Sequence, residues 1–228
     1  MTILLTGASR GIGFATAQAL AAAGHKVLAL SRNTDKLAEL KASNPERIAT
    51  LSYDLSQPDP EQLAAWVRAH GQLDAIVNNA GYLVSKPFLA LSAADWQRSF
   101  EVNFFGPVIL IRTLIDLRRS NAPLHIVNVS SMGGFQGSSK FPGLCAYSAS
   151  KAAVANLTEC LAEEWKDENI AVNCLAFGAV QTEMLAEAFP GYQAPMNSEK
   201  MAEFFTWFIT EGGKFFNGKI LPVSVSTP

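Results

Sequence analysis

Short apolar runs alternate along the chain with segments whose apolar residues recur at helical spacing. The apolar runs predict strands over Thr2–Thr6, Lys26–Leu30, Ile48–Tyr53, Leu73–Val77, Leu124–Val129, Ile170–Leu175 and Lys219–Val225. Helical spacing is clear between Leu63 and His70, before Gly71. Strands that alternate with helices predict a parallel sheet covered on both faces. We therefore predict an α/β fold, a three-layer doubly wound parallel sheet of about seven strands.

Two long helices are predicted in the second half of the chain. One runs from about Ser92 to Arg119, with Pro107 inside it as the point of a bend. The other covers about Cys145–Lys166, and one or two shorter helices follow Gly178. Ligands of doubly wound sheets bind beyond the carboxyl ends of the strands, so the candidate functional residues are those that directly follow the strands.

Composition narrows the function classes. The 228 residues carry 18 Lys and Arg against 20 Asp and Glu, a formal net charge of −2, which does not favour nucleic-acid binding. Apolar residues make up 49%, which excludes intrinsic disorder and suits one domain over residues 1–228. We find no membrane span, no signal peptide and no zinc spacing among the three cysteines. We therefore expect a cytoplasmic protein with no membrane partner and no metal.

A glycine-rich turn follows the first predicted strand and opens the first helix. Its residues are Gly7, Ala8, Ser9, Arg10, Gly11, Ile12 and Gly13. Glycines let backbone amides approach a pyrophosphate closely, and the N-terminus of a helix favours the anion. At the end of the first strand of a βαβ unit, this pattern predicts a dinucleotide site.

The residues after the second strand indicate which dinucleotide binds. An NAD site places an acid there for the ribose 2′-hydroxyl, whereas an NADP site accommodates the 2′-phosphate with a base. This chain has Ser31 and Arg32 at that point, with no acid before Asp35, and Arg10 supplies a second cation. We predict NADP(H) as the cofactor, with NAD(H) as the alternative.

A tyrosine and a lysine four residues apart form the candidate catalytic pair. Tyr147 and Lys151 share one face of the predicted helix, with Cβ atoms about 5–6 Å apart. A nearby ammonium group lowers the pKa of a tyrosine, which can then donate a proton to a carbonyl oxygen. Ser130 and Ser131 follow the fifth strand, and a hydroxyl there could hydrogen-bond the same oxygen.

Four motifs in this order resemble those of the short-chain dehydrogenase/reductases. They are Thr6–Gly13, Asn78–Gly81, Val127–Ser131 and Tyr147–Lys151. The resemblance covers essentially the whole chain and implies a Rossmann fold and the reversible, NADP(H)-dependent reduction of a ketone or aldehyde to an alcohol. The alternative is a non-catalytic NADP(H)-binding regulatory protein on the same fold. Such proteins typically lose the tyrosine or the lysine, and this chain keeps both.

The resemblance also implies individual roles. Tyr147 would be the general acid and base, and Lys151 would lower its pKa and hold the nicotinamide ribose. Ser131 would assist at the carbonyl oxygen, with Ser130 as the alternative, and Asn103 would support a proton relay through water. The predicted cofactor contacts are Gly7, Ser9, Arg10, Gly11, Ile12, Gly13, Ser31, Arg32, Asp54, Leu55, Asn79, Ala80, Gly81, Tyr147, Lys151, Val180 and Thr182.

Substrate and partners are less sharply indicated. The segment 178–219 is predicted to be the variable, substrate-side part, and Phe177 stands where the family often has proline. Some of the aromatic residues of this segment, which include Phe189, are expected to line an apolar pocket together with Phe135, Phe141 and Leu144. A closer resemblance to 3-oxoacyl-carrier-protein reductases and carbonyl reductases makes an acyl carrier protein thioester a possible substrate. The candidate docking residues for that acidic protein are Arg112, Arg118 and Arg119. The family usually associates through its two long helices and its last strand, so we expect a homodimer or homotetramer.

Overall fold

One seven-stranded parallel sheet organises the protein in a computed structural model that describes residues 1–225. The strands are β1 Thr2–Thr6, β2 Lys26–Ser31, β3 Ile48–Ser52, β4 Ala75–Asn78, β5 Leu124–Ser131, β6 Ile170–Phe177 and β7 Ile220–Val223. Their spatial order is β3-β2-β1-β4-β5-β6-β7, and every neighbouring pair is parallel. The order reverses between β1 and β4, so the predicted doubly wound sheet is confirmed.

Helices cover both faces of this sheet. They are α1 Gly11–Ala22, α2 Thr34–Ser43, α3 Pro60–His70, α4 Ala93–Phe100, α5 Gly106–Leu114, α6 Cys145–Glu164, α7 Glu183–Ala188 and α8 Ser198–Glu211. In β1, Ile3 and Leu5 pack in the apolar cluster with α1, α2 and α8. Leu4 points to the opposite face and packs in the cluster with α3 and α5. Because successive residues of a strand point to opposite faces, both faces are buried and three layers result.

The long helix predicted from Ser92 to Arg119 begins at Ala93 and runs through a last 3₁₀ turn to Leu117. Its hydrogen-bond pattern changes once, at a π-helical turn over Glu101–Phe105 that joins α4 to α5. The Gly106 N–H bonds there to the Glu101 carbonyl, five residues earlier, and Pro107 follows directly. Because a proline has no N–H to continue the α-helical pattern, Pro107 marks the point where that pattern changes.

No helix of residues 1–225 has both the length and the apolar character needed to cross a membrane. The same residues contain no group of three or more His, Cys, Asp and Glu side chains arranged to hold a metal ion.

Candidate active site

A cleft opens at the carboxyl ends of the strands, beside the point where the strand order reverses. Every residue predicted to contact the cofactor lines this one cleft, and so does Ser131. The sheet brings these residues together because parallel strands present all their carboxyl ends at one edge. Asn103 is the exception among the predicted site residues, since it does not line the cleft.

The glycine turn packs directly on the segment that follows β4. Gly7 has a φ of +71°, and a Cβ built there would lie 2.7 Å from the Cα of Ala80. A Cβ on Gly13 would collide with the carbonyl oxygen of Gly7. Asn79 Nδ2 donates to the carbonyl oxygen of Thr6 at 2.9 Å, and Thr6 Oγ1 accepts from the backbone N–H of Ala80 at 3.0 Å. Side chains at either glycine would break this contact.

The N-terminus of α1 faces the cleft without a side-chain cap. Arg10 occupies the N-cap position and its side chain makes no capping hydrogen bond. The N-cap of α2 differs, because Asn33 Oδ1 accepts from the backbone N–H of Lys36 at 2.9 Å. The first N–H groups of α1 are thus available to an anion, and the residues present fit the pyrophosphate of a dinucleotide.

Positive charge surrounds the end of β2. Arg32 is exposed and lines the cleft with Ser31. Arg10 also lines it, and its guanidinium lies 3.5 Å from the carboxylate of Glu187 on α7. No acid lies between β2 and Asp35, as the sequence shows. The arrangement suits a phosphate on the adenosine ribose.

Asp54, which follows β3, remains ionised at neutral pH. Burial raises its pKa, but two hydrogen bonds from Ser56 and the charge of Arg98 outweigh burial and leave the pKa below its ordinary value. Asp54 Oδ1 accepts from the Ser56 N–H at 2.9 Å and from the Ser56 hydroxyl at 2.7 Å. The carboxylate is therefore held in place at the end of the cleft beside β3.

Ser131 and Tyr147 both line the cleft. Burial raises the pKa of the Tyr147 hydroxyl, and a hydrogen bond from Ser131 partly opposes this increase. Ser130 points elsewhere, because its hydroxyl donates to the carbonyl oxygen of Lys151 at 2.7 Å. The two serines that the sequence left open thus have different surroundings, and only Ser131 reaches the tyrosine.

The pKa of Tyr147 lies above its ordinary value, so the lowering that the sequence prediction assigns to Lys151 is not the dominant effect here. The Lys151 ammonium group donates to the carbonyl oxygen of Val129 at 2.7 Å. The side chain is only 3% exposed, and burial lowers the pKa of Lys151 to about 8. For Tyr147 the effect of burial is larger than any opposing interaction.

Asn103 lies behind the cleft, on the π-helical turn, and is 1% exposed. Its Oδ1 accepts from the backbone N–H of Tyr82 at 2.8 Å, and its Nδ2 donates to the Tyr82 carbonyl and to Ser150 Oγ, both at 2.9 Å. A Cβ on Gly81 would lie 3.5 Å from Lys151 Nζ and 3.7 Å from Asn103 Oδ1. Asn103 therefore fixes the segment after β4 next to the lysine.

The other end of the cleft includes Phe141, Leu144 and Phe189, which are candidates for the apolar pocket expected from the sequence, whereas Phe135 does not line it. Tyr82 and Met132 also line the cleft and were not predicted. They directly follow the motifs at the ends of β4 and β5, and that adjacency could have identified them. Phe177 lines the cleft, but it also packs edge-on against Phe205 with ring centroids 5.2 Å apart. It is consequently part of the core as well as of the site.

Comparisons with known proteins agree with this geometry. The family described as short chain dehydrogenase matches residues 1–193. A 3-oxoacyl-[acyl-carrier-protein] reductase of Synechocystis sp. is 33% identical over 187 residues, which cover 79% of this chain and 74% of that protein.

Solved structures extend the likeness to nearly the full length. A short chain dehydrogenase of Shigella flexneri 2a complexed with NADP has a TM-score of 0.88 at 28% identity, covering 97% of this chain and 95% of that one. The L-sorbose reductase of Gluconobacter frateurii, complexed with NADPH and L-sorbose, has a TM-score of 0.85 at 26% identity, covering 98% and 94%. The chain belongs to the short-chain dehydrogenase family of oxidoreductases, whose members bind a nicotinamide cofactor.

Proposed function

We propose that this chain catalyses the reversible, NADP(H)-dependent reduction of a ketone or aldehyde to an alcohol. The observation that carries the proposal is that Ser131 and Tyr147 line the same cleft as the uncapped N-terminus of α1. A hydroxyl pair of this kind suits a carbonyl oxygen, and the helix N-terminus suits the phosphates of the cofactor. The reductases among the relatives support the same reaction class.

Tyr147 is the proton donor in the direction of reduction. Because burial raises its pKa, the hydroxyl keeps its proton at neutral pH and can transfer it to the carbonyl oxygen as negative charge develops there. The Ser131 hydroxyl donates a hydrogen bond to the same oxygen. NADPH, when bound, supplies the hydride for the carbonyl carbon, so that ketone, NADPH and one proton give alcohol and NADP⁺. Lys151 would hold the nicotinamide ribose.

The preference for NADP(H) rests on Arg10, Ser31 and Arg32. Two structural neighbours are complexed with NADP or NADPH, which supports the same assignment. Fluorescence titration should show tighter binding of NADPH than of NADH. Arg32→Asp should reduce that ratio of dissociation constants about tenfold or more, because a phosphate then meets a carboxylate.

The matched control is Arg68→Asp, which changes an exposed arginine on α3 outside the cleft. It should leave the ratio unchanged. An unchanged NADPH/NADH ratio in Arg32→Asp would mean that this residue does not select the cofactor.

Carrier-protein docking has weaker support from the structure. Arg119 is paired with Asp74 at 2.6 Å, and Arg118 lies 3.2 Å from Glu168, so two of the three candidate docking cations are engaged. A 3-oxoacyl thioester therefore enters the proposal only through the relatives of that name.

Two further proposals concern the oligomeric state and the compartment of the protein. Phe105, on the π-helical turn beside α5, is 52% exposed, which suits an interface in a homodimer or homotetramer. Light scattering measures that state directly. The free thiols of Cys145, Cys160 and Cys174 suit a reducing compartment such as the cytoplasm.

A further inference from the structure

The end of the cleft beyond Ser131 and Tyr147 has an apolar lining. It consists of side chains from the turn after β5, the loop before α6, and α7. These are Met132, Phe141, Leu144, Met184, Leu185 and Phe189. Phe141 lies near the Ser131 hydroxyl, because a Cβ built on Gly133 would stand 3.7 Å from both the Phe141 ring and Ser131 Oγ. A group attached to a reacting carbonyl carbon would therefore lie close to this ring.

Two aromatic rings join the walls of this apolar end. Phe141 and Phe189 pack edge-on, with ring centroids 5.5 Å apart and planes inclined by 78°. The loop that carries Phe141 is fixed at its far end, since the Lys86 N–H donates to the Gly143 carbonyl at 3.0 Å. The rings therefore link a fixed loop to the end of α7, and an apolar group packed against them would be removed from water.

Charged side chains lie elsewhere in the cleft. Among the described residues that line it, the Asp, Glu, Lys and Arg residues are Arg10, Arg32, Asp54, Lys151 and Glu183. The first three belong to the adenosine end. A Glu183 carboxylate oxygen lies 3.9 Å from where a Cβ of Gly11 would stand, next to the glycine turn, and Lys151 donates to Val129. A carboxylate or sugar hydroxyls at the apolar end would be buried without partners.

We propose that the substrate is an uncharged ketone with an apolar substituent, and that Phe141 and Phe189 bind this substituent. This inference rests on the proposed carbonyl reduction and deepens it by naming the class of substrate. It distinguishes this chain from a reductase of keto acids or of sugars, both of which need polar partners around the carbonyl group.

The test compares matched ketones at saturating NADPH. 2-Heptanone and 6-oxoheptanoate differ only in a terminal methyl group against a carboxylate, and D-fructose serves as the polyhydroxylated ketone. We expect kcat/KM for 2-heptanone to exceed that for 6-oxoheptanoate and for D-fructose about tenfold or more. 2-Heptanone should also raise the thermal midpoint of the NADPH-bound protein more than 6-oxoheptanoate does.

Variants locate the binding site of the apolar group. Phe141→Ala and Phe189→Ala should each lower kcat/KM for 2-heptanone about tenfold and change that for acetone less than about threefold. Phe215→Ala is the matched control, because Phe215 is 69% exposed and does not line the cleft. Retained acetone turnover shows that a variant is folded.

The outcomes separate the two proposals. If 6-oxoheptanoate or D-fructose is reduced as well as 2-heptanone, the substrate class is wrong while carbonyl reduction stands. If both phenylalanine variants reduce 2-heptanone like the Phe215→Ala control, the assignment of the rings is wrong. If the wild-type protein reduces no ketone with NADPH or NADH, both proposals are overturned.

Discussion

Lys151 carries an ammonium group into the floor of the cleft, where water is largely excluded. Burial lowers the pKa of this group from 10.5 to about 8, since the charged form loses its hydration. The hydrogen bond to the Val129 carbonyl offsets only part of that loss. Burying this charge costs stability, so a role in the site explains Lys151 better than a role in stabilising the fold.

The lowered pKa of Lys151 predicts how stability depends on pH. Between about pH 8 and 10.5 the unfolded chain holds a proton on this lysine that the folded chain has released, so the free energy of unfolding rises with pH. The rise is at most about 1.4 kcal/mol per pH unit for one group. Lys151→Met has no such titrating group. The free energy of unfolding of the wild type should therefore rise relative to that of the variant between pH 8 and 10.

Urea unfolding of the two proteins without added nucleotide, at several pH values, measures this difference. Lys41→Met, at an exposed position on α2, is the matched control. Its free energy of unfolding should change with pH as that of the wild type does. A constant difference between the wild type and Lys151→Met over the same range would contradict the buried ammonium group.

At the scale of elements, the π-helical turn between α4 and α5 holds the segment that follows β4 in place. The π-helical turn directs Asn103 at the backbone of Tyr82, where it satisfies both the N–H and the carbonyl group. A π-helical turn inside a helix is rare and is often found at functional sites. Here it connects the helix pair to the segment beside Lys151.

Asn103→Leu should destabilise the protein by about 2–4 kcal/mol, because two backbone groups of Tyr82 lose their partners. Asn156→Leu is the matched control on the exposed side of α6, and there we expect a change within about 0.5 kcal/mol. Urea unfolding gives both values. If Asn103→Leu destabilises the protein no more than Asn156→Leu does, the contact with Tyr82 does not hold the segment that follows β4.

The strands were predictable from sequence, whereas the π-helical turn was not. Each buried strand appears as an apolar run, and the prediction missed only end residues, such as Ser131 in β5 and Phe177 in β6. The turn carries Asn103, whose partner Tyr82 is 21 positions away, and no local pattern contains that contact. Pro107 indicated a disturbance of the helix, but not that the disturbance is a π-helical turn.

At the scale of the molecule, the sheet explains why the cofactor side of the site was predictable in detail and the substrate side only in outline. Cofactor contacts follow successive strands, so local motifs and the sheet topology together bring them into one cleft. The apolar end pairs a loop with α7 through Phe141 and Phe189, whose sequence separation is large. Likewise, the bond from Lys151 to Val129 could not be read from the spacing of Tyr147 and Lys151.

Turnover by Tyr147→Phe tests the central claim most directly, because this change removes one hydroxyl and leaves the ring. We expect kcat for the reduction of 2-heptanone with NADPH to fall about 10²- to 10⁴-fold, with the dissociation constant for NADPH within about twofold of the wild type. Tyr192→Phe removes a hydroxyl from a residue that is not among those lining the cleft, and it should retain wild-type kcat. Near wild-type turnover by Tyr147→Phe would contradict the account, as would a wild-type protein that binds NADPH and reduces no ketone.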